Sequence, residues 1–277
     1  MNNTATNPAA SSTAPSAPAP QQPLLLERNG AIATLRFNRP EALNAIDVPM
    51  ANAFLTAVQS IAADLGVRAV VLRGNGRGFM AGGDLATLRA DPVQGAIDIL
   101  TPLNAALQLL AQMNAPVIAQ VHGAAAGAGL SLVLMADYVI AAEGTRFNLA
   151  YINLGTSCDV GASWALPRIV GVRQALEIAL LCEAFTADDA LRLGLVNRVV
   201  PSAELDSTTA ALAQRLAAGP TLAYGAMKRL MRASMDHTLP EQLAAEKDAF
   251  VHCAGTEDFR AGVEAFHQRQ SPQFVGR

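Results

Sequence analysis

The chain predicts an α/β fold, on three observations. Short apolar strands alternate with helical segments, two Gly/Ala-rich turns join a strand directly to a helix, and everything after Pro201 reads as helical. With 277 residues, 51% apolar and 16% charged, the chain can bury one large core and carry a smaller appendage.

Leu24 to Arg28 and Ala31 to Phe37 predict two strands folded back on each other at Asn29-Gly30, a strong hairpin signal. Asp47 before Val48-Pro49 predicts an N-cap and a proline first turn, opening a helix to about Asp64. Ala69 to Arg73 is a buried strand ended by Gly74-Asn75-Gly76. A helix over roughly Pro92 to Met113 leads into the strand Pro116 to Val121. A turn of small residues then enters a helix at Gly127 to Met135, and Tyr138 to Ala142 is strand again. The helical tail has breaks at Gly219-Pro220 and Leu239-Pro240. Three regions follow: a leader at 1–23, a core at 24–200 and a helical region at 201–277. The leader holds only small, polar and proline residues after its first methionine, too little apolar bulk to offset the entropy of ordering, so it is expected to be disordered.

Composition removes several function classes. The formal net charge is -3 and no basic run stands out, which argues against nucleic-acid binding. Val117 to Ala136 is free of formal charge, but Gln120, His122, Ser131 and three glycines interrupt it and Asp137 follows. A buried strand and helix explain it better than a membrane span. Cys158, Cys182 and Cys253 have no metal-ligand spacing and no even count, so no metal site or disulfide frame is expected. With no export signal, the expected location is cytoplasmic.

Two loops carry the chemistry. Gly74 to Leu85 (GNGRGFMAGGDL) and His122 to Leu130 (HGAAAGAGL) each follow a strand, and the second opens a helix. Small residues let a ligand approach the backbone, and a helix start offers unpaired N–H donors. Taken singly, each loop is equally compatible with phosphate binding or with close packing. Neither has the Gly-Lys-Ser/Thr of a P-loop.

Together, in this order, the loops resemble the crotonase (enoyl-CoA hydratase/isomerase) superfamily. Asn38 to Ala45 (NRPEALNA), Leu166 to Gly171 (LPRIVG), Ala187 to Val199 and Glu264 to Phe274 match further family stretches, so the resemblance spans about 24–277. It implies a spiral of ββα units with a C-terminal helical oligomerisation region, assembled as a homotrimer or hexamer. It also implies an acyl-CoA thioester substrate, with coenzyme A entering as part of that substrate and no other cofactor. The oxyanion donors are expected at the N–H groups of Ala81 and Ala128. Backbone at Ala42 and from Met80 through Gly82, Gly83 and Asp84 to Leu85 is expected to border the CoA, with Asp84 shaping the turn. Gly127 and Tyr151 are expected at the acyl end, and Lys228 and Phe266 on the tail as CoA-covering residues.

The resemblance breaks at one point. Hydratases of this type carry two glutamates, and this chain has Ser131 and Tyr151 at those places. Neither can act as half of a carboxylate pair that activates water. Instead Asp159, in an otherwise uncharged stretch between Arg146 and Arg168, stands where isomerases of the superfamily carry an aspartate. The expected activity is therefore enoyl-CoA double-bond isomerisation with Asp159 as base. The alternatives are an enoyl-CoA hydratase, a 4-chlorobenzoyl-CoA dehalogenase-like hydrolase with Asp159 as nucleophile, and a non-catalytic acyl-CoA-binding protein. His122, before the second loop, is expected to bond nearby backbone rather than to act on substrate.

Overall fold

The computed structural model describes residues 22–277. The leader expectation therefore lies almost wholly outside the described residues. The first hairpin pairs β1 (Leu24–Asn29) with β2 (Ile32–Phe37) antiparallel, Asn29 opposite Ile32, with Gly30 at φ 57° in the turn. Helix α1 (Val48–Ala63) begins where expected: the Asp47 carboxylate accepts from the Met50 N–H at 2.9 Å, satisfying one of the first-turn donors. Strand β3 (Ala69–Gly74) runs parallel to β2. A short helix that the sequence reading did not separate, α2 (Leu85–Ala90), precedes α3 (Pro92–Gln112).

After α3 come β4 (Val117–Val121), β5 (Ala124–Ala126), α4 (Ala128–Met135), β6 (Tyr138–Ala142) and β7 (Arg146–Asn148). Helices α5 (Ala162–Val170) and α6 (Val172–Leu181), strand β8 (Phe185–Thr186), helix α7 (Ala187–Arg192) and strand β9 (Arg198–Val200) complete the mixed region. The main sheet has the order β1-β2-β3-β4-β6-β9, parallel from β2 onward. A second sheet, β5-β7-β8, is fed by the chain as it leaves β4 and β6. This is the expected α/β spiral: in β4-β5-α4 and again in β6-β7-α5, a strand of each sheet is followed by helix.

The central strands are largely apolar because both faces of the main sheet are covered, and their exceptions, Arg73 and Gln120, both reach Asp206. The pleat sends Val70, Leu72, Ala119, Val121, Val139 and Ala141 into the principal core with Phe37, Phe54 and Leu103. It sends Val71, Ile118, Ile140 and Ala142 the other way, against Leu205 and Ala213 of α8 (Leu205–Ala217).

Helices α9 (Thr221–Ala233), α10 (Leu239–Ala254) and α11 (Glu257–Gln268) follow the break at Gly219-Pro220. The expected break at Leu239-Pro240 is a helix start instead. Thr238 and Glu241 form a capping box, and Pro240 occupies the first turn, where its missing N–H costs nothing.

No helix among the described residues is long and apolar enough to cross a membrane. They also contain no group of three or more His, Cys, Asp or Glu placed to hold a metal ion.

Candidate active site

The two loops lie against each other because glycine allows it. A Cβ on Gly129 would stand 2.3 Å from the Met80 carbonyl oxygen, and one on Gly123 would stand 2.0 Å from that of Arg77. With those atoms absent, Met80 and Ala125 form a parallel bridge. The Met80 N–H donates to Ala124 and the Ala126 N–H to Met80. His122 Nε2 lies 2.9 Å from the Gly76 carbonyl oxygen, which ties the entry of the second loop to the first, as expected of a backbone-bonding histidine.

The first loop is also held from its other side. Asn44, fully buried, donates through Nδ2 to the carbonyls of Asn75, Gly78 and Phe79 at 2.9 to 3.1 Å. Arg39 reaches Asp84 at 2.9 Å and Asp47 at 3.3 Å. Asn38 to Ala45 was legible as a signature; the structure shows it as the clamp on the loop.

That clamp decides which N–H groups are available. Ala81 donates to the Leu43 carbonyl at 3.0 Å, so the expected donor is already committed. Ile46 donates to Gly82 and Asp84 donates to Ile46, both at 2.8 Å. In such a parallel bridge the residue between the two bonded groups points its own N–H away from the pairing strand. That residue is Gly83, whose N–H has no acceptor among the described residues. Ala128, the first residue of α4, likewise has none. A Cβ on Gly82 would lie 3.7 Å from the Ala128 nitrogen, so the two loops meet here. The Ala81 N–H, expected as an oxyanion donor, is thus taken up by Leu43, and the free N–H groups where the loops meet are those of Gly83 and Ala128.

Gly83 and Ala128 line a cavity of about 760 Å³, together with Tyr151 and Asp159. Gly82, Leu85 and Gly127 also line it. The apolar wall comes largely from α2 and α3, through Leu88, Ala96, Ile99, Leu100 and Leu103, with Leu154 from the turn after Tyr151. Leu149 and Trp164 lie outside this lining.

Three expected contact residues build the cavity without facing it. Met80 is fully buried in its bridge. Ala42 sits in a 3₁₀ turn, Pro40–Ala42, its N–H donating to Arg39 and its carbonyl accepting from Ala45. Asp84 caps α2 by accepting from the Ala86 and Thr87 N–H groups. Partial burial works to raise its carboxyl, but Arg39 and the two N–H groups more than offset this, and its pKa lies below the usual range.

Lys228, expected on the tail as a CoA-covering residue, is turned inward into an ion pair. Its ammonium lies 2.6 Å from Asp137 and 2.9 Å from the Ala115 carbonyl oxygen, with the side chain 9% exposed. Burial pushes its pKa down even though Asp137 pulls the other way. It pins α9 to the core, away from the cavity lining. Phe266 is 80% exposed on α11 and borders a separate groove, so nothing in its own chain places it at the cavity.

Asp159 is half-buried in the cavity wall and is the only carboxylate among the lining residues. Its Oδ1 accepts from the Tyr151 hydroxyl, and Ser131 Oγ lies 2.9 Å from that hydroxyl. Burial raises the Asp159 carboxyl above its ordinary value, against the lowering effect of the Tyr151 bond. Burial and the neighbouring Asp159 also keep the Tyr151 phenol protonated. A carboxylate with a raised pKa in the same cavity as two free N–H groups can remove a proton next to a carbonyl whose oxygen those groups hold.

Comparison with known proteins identifies the context. The sequence profile described as Enoyl-CoA hydratase/isomerase matches residues 27–277. A Rhodobacter capsulatus protein named "Probable enoyl-CoA hydratase" is 37% identical, over 89% of this chain and 95% of its own. The 1,2-epoxyphenylacetyl-CoA isomerase of Escherichia coli is also 37% identical, with the same coverage of both chains. A crystal structure of an enoyl-CoA hydratase from Mycobacterium smegmatis superposes with a TM-score of 0.86 at 34% identity, covering 92% of this chain and 99% of that one. Fold, loop pair and sequence agree: the chain belongs to the enoyl-CoA hydratase/isomerase family of the crotonase superfamily, acting on acyl-CoA.

Proposed function

We propose that this enzyme is an enoyl-CoA double-bond isomerase in which Asp159 carries the proton. The observation that supports this reading is the single carboxylate of the cavity, bonded to Tyr151 and, through it, to Ser131. Syn-addition of water by a carboxylate pair needs a second acid–base group, and the two places that would supply it are filled by a phenol and an alcohol.

The thioester oxygen of a 3-enoyl-CoA sits between the N–H groups of Gly83 and Ala128. Asp159 removes a proton from the carbon next to the carbonyl. That C–H bond breaks, an O–H bond forms on Asp159, and the electron pair spreads over a dienolate whose oxygen the two donors hold. Asp159 returns the same proton two carbons further along, giving the 2-enoyl ester and restoring the carboxylate. A base so placed contributes typically ~10²–10⁴ in rate, and each oxyanion donor ~10²–10³. The reaction as written needs no cofactor besides the CoA that carries the acyl group.

A dehalogenase-like role needs a histidine base beside the nucleophile. His122 is engaged with Gly76, and no histidine lines the cavity. The tail supports an assembly of copies: Phe250, Val251, Val263, Phe266, Met231 and Met235 are large apolar side chains left exposed on α9–α11 and the turn after α9. A homotrimer or hexamer would cover them.

The test is to incubate the protein with a 3-enoyl-CoA and, separately, a 2-enoyl-CoA, with Asp159→Asn alongside. Conversion of the 3-enoyl to the 2-enoyl ester, abolished in the variant, is the expected result. Efficient hydration of the 2-enoyl ester by both proteins would overturn the reading.

A further inference from the structure

Ser131 and Tyr151 do more than vacate the places of two glutamates. Tyr151 is 9% exposed and Ser131 fully buried, and their hydroxyls form a continuous chain from Asp159 Oδ1 to the Gly127 carbonyl. Ser131 Oγ has two acceptors for one proton: the Tyr151 oxygen at 2.9 Å and the Gly127 carbonyl oxygen at 3.3 Å. The peptide that carries the Gly127 carbonyl also carries the Ala128 N–H. The chain thus runs from the base to the back of an oxyanion donor.

We propose that Tyr151 and Ser131 are positioning residues that couple the two ends of the reaction, the Ser131 proton turning from Tyr151 to Gly127 as charge leaves Asp159 for the thioester oxygen.

This rests on the isomerase reading above and deepens it. With Asp159 ionised, Tyr151 must donate to it, because the buried phenol keeps its proton. The Tyr151 oxygen is then an acceptor, and the Ser131 proton is drawn along the chain toward the charge. Pinning Oδ1 in this way leaves the other carboxylate oxygen to take and return the substrate proton. Once the proton is captured, Asp159 is neutral and the pull on Ser131 relaxes. A Ser131 hydroxyl turned onto Gly127 adds to the bond that the Ser131 N–H already makes there at 3.0 Å. Hydrogen bonds to a peptide carbonyl polarise its N–H, so Ala128 becomes a stronger donor when the oxyanion forms. No proton is gained or lost; one hydroxyl rotates.

The experiment compares Tyr151→Phe, Ser131→Ala, Ser131→Thr, the Tyr151/Ser131 double variant and Asp159→Asn on a 3-enoyl-CoA across pH. Tyr151→Phe should lower kcat about tenfold, the worth of one hydrogen bond to a charged group, with KM within about twofold. Without that bond the carboxylate is less favoured. The base needs to be ionised, so the acidic limb of the kcat profile should move to higher pH. A residue that only filled space would leave that limb in place. Ser131→Ala should lower kcat about threefold at constant KM, and Ser131→Thr, which keeps a hydroxyl, should restore it. The double variant should lose little more than Tyr151→Phe alone, since both act through one chain. If Tyr151→Phe and Ser131→Ala keep full kcat and an unmoved acidic limb while Asp159→Asn is inactive, the coupling is wrong and the isomerase reading stands. If Asp159→Asn retains activity, the base assignment falls and the coupling falls with it.

Discussion

Asp137 and Asp159 are both largely removed from water, and the company each keeps makes one a fastener and suits the other to the proposed role of base. Asp137 lies between the Lys228 ammonium at 2.6 Å and the Arg232 guanidinium at 2.9 Å, and also accepts from the Val117 N–H at 2.8 Å. Its charge is met on every side, and the cluster locks α9 to the loop ahead of β6. Asp159 has only a phenol and its own backbone for partners, and no cation contributes to its titration. Desolvation there is not offset by an opposite charge, so the carboxylate is held ready to take up a proton. The number of cationic partners, more than the depth of burial, separates the two roles.

The largest effects should come from removing each carboxylate's distinguishing feature. Asp159→Asn should reduce isomerisation ~10²–10⁴-fold, the usual worth of a positioned base, and at the same time raise stability at neutral pH. The sign follows from linkage. A carboxyl whose pKa is raised on folding contributes stability below its unfolded pKa and loses that contribution as pH rises through the folded value. At pH 7 the ionised Asp159 therefore works against folding, and asparagine relieves it. The Tm of the variant should exceed that of wild type at pH 7, with the gap closing toward pH 4. A lower Tm at pH 7 would break the contrast.

Lys228→Met should do the reverse. It leaves Asp137 with Arg232 alone among its cations and should cost about 3 kcal/mol, the lower end for breaking a buried pair. Turnover per folded molecule should stay near wild type, because Lys228 is outside the cavity. An unchanged urea midpoint would sink the fastener role, and a raised KM with intact stability would return Lys228 to the CoA.

How far each region was legible follows the same division between local and non-local signals. Strands β2 and β6 and helix α1 are visible in the sequence because Asn29-Gly30, Asp47 and the apolar runs act within a few residues. Asp159, Tyr151 and Ser131 were each singled out by type and place. Their connection was hidden, since it depends on how the exposed turn after Tyr151 brings residue 159 back beside it. The choice of Gly83 over Ala81 was illegible for a similar reason. Which N–H is free is set by pairing with Leu43 and Ile46, from another part of the chain. Lys228 looks like an ordinary cation on an amphipathic helix, and only its partner Asp137, far upstream, shows which way it faces. The wall of Ile99, Leu100 and Leu103 was read as helix without a hint of what the helix would face.

Asp84 supplies the smallest effect and the sharpest check, because it is a third carboxylate, behind the cavity wall rather than in it, whose shift has the opposite sign to that of Asp159. It caps α2 and meets Arg39, and its pKa is lowered in the folded state although partial burial works to raise it. Asp84→Ala removes the cap and should cost about 1 kcal/mol, with a modest rise in KM as the α2 wall loosens and kcat largely kept. A depressed carboxyl contributes stability above its unfolded pKa and loses it as pH falls through the folded value. The difference between Asp84→Ala and wild type should therefore be full at pH 7 and shrink in acid. Asp159→Asn should show its stabilising difference over the same range of pH. If unfolding free energies measured at pH 7 and again near pH 3 shift the two variants in the same direction relative to wild type, partner charge is not what sets the two carboxylates apart.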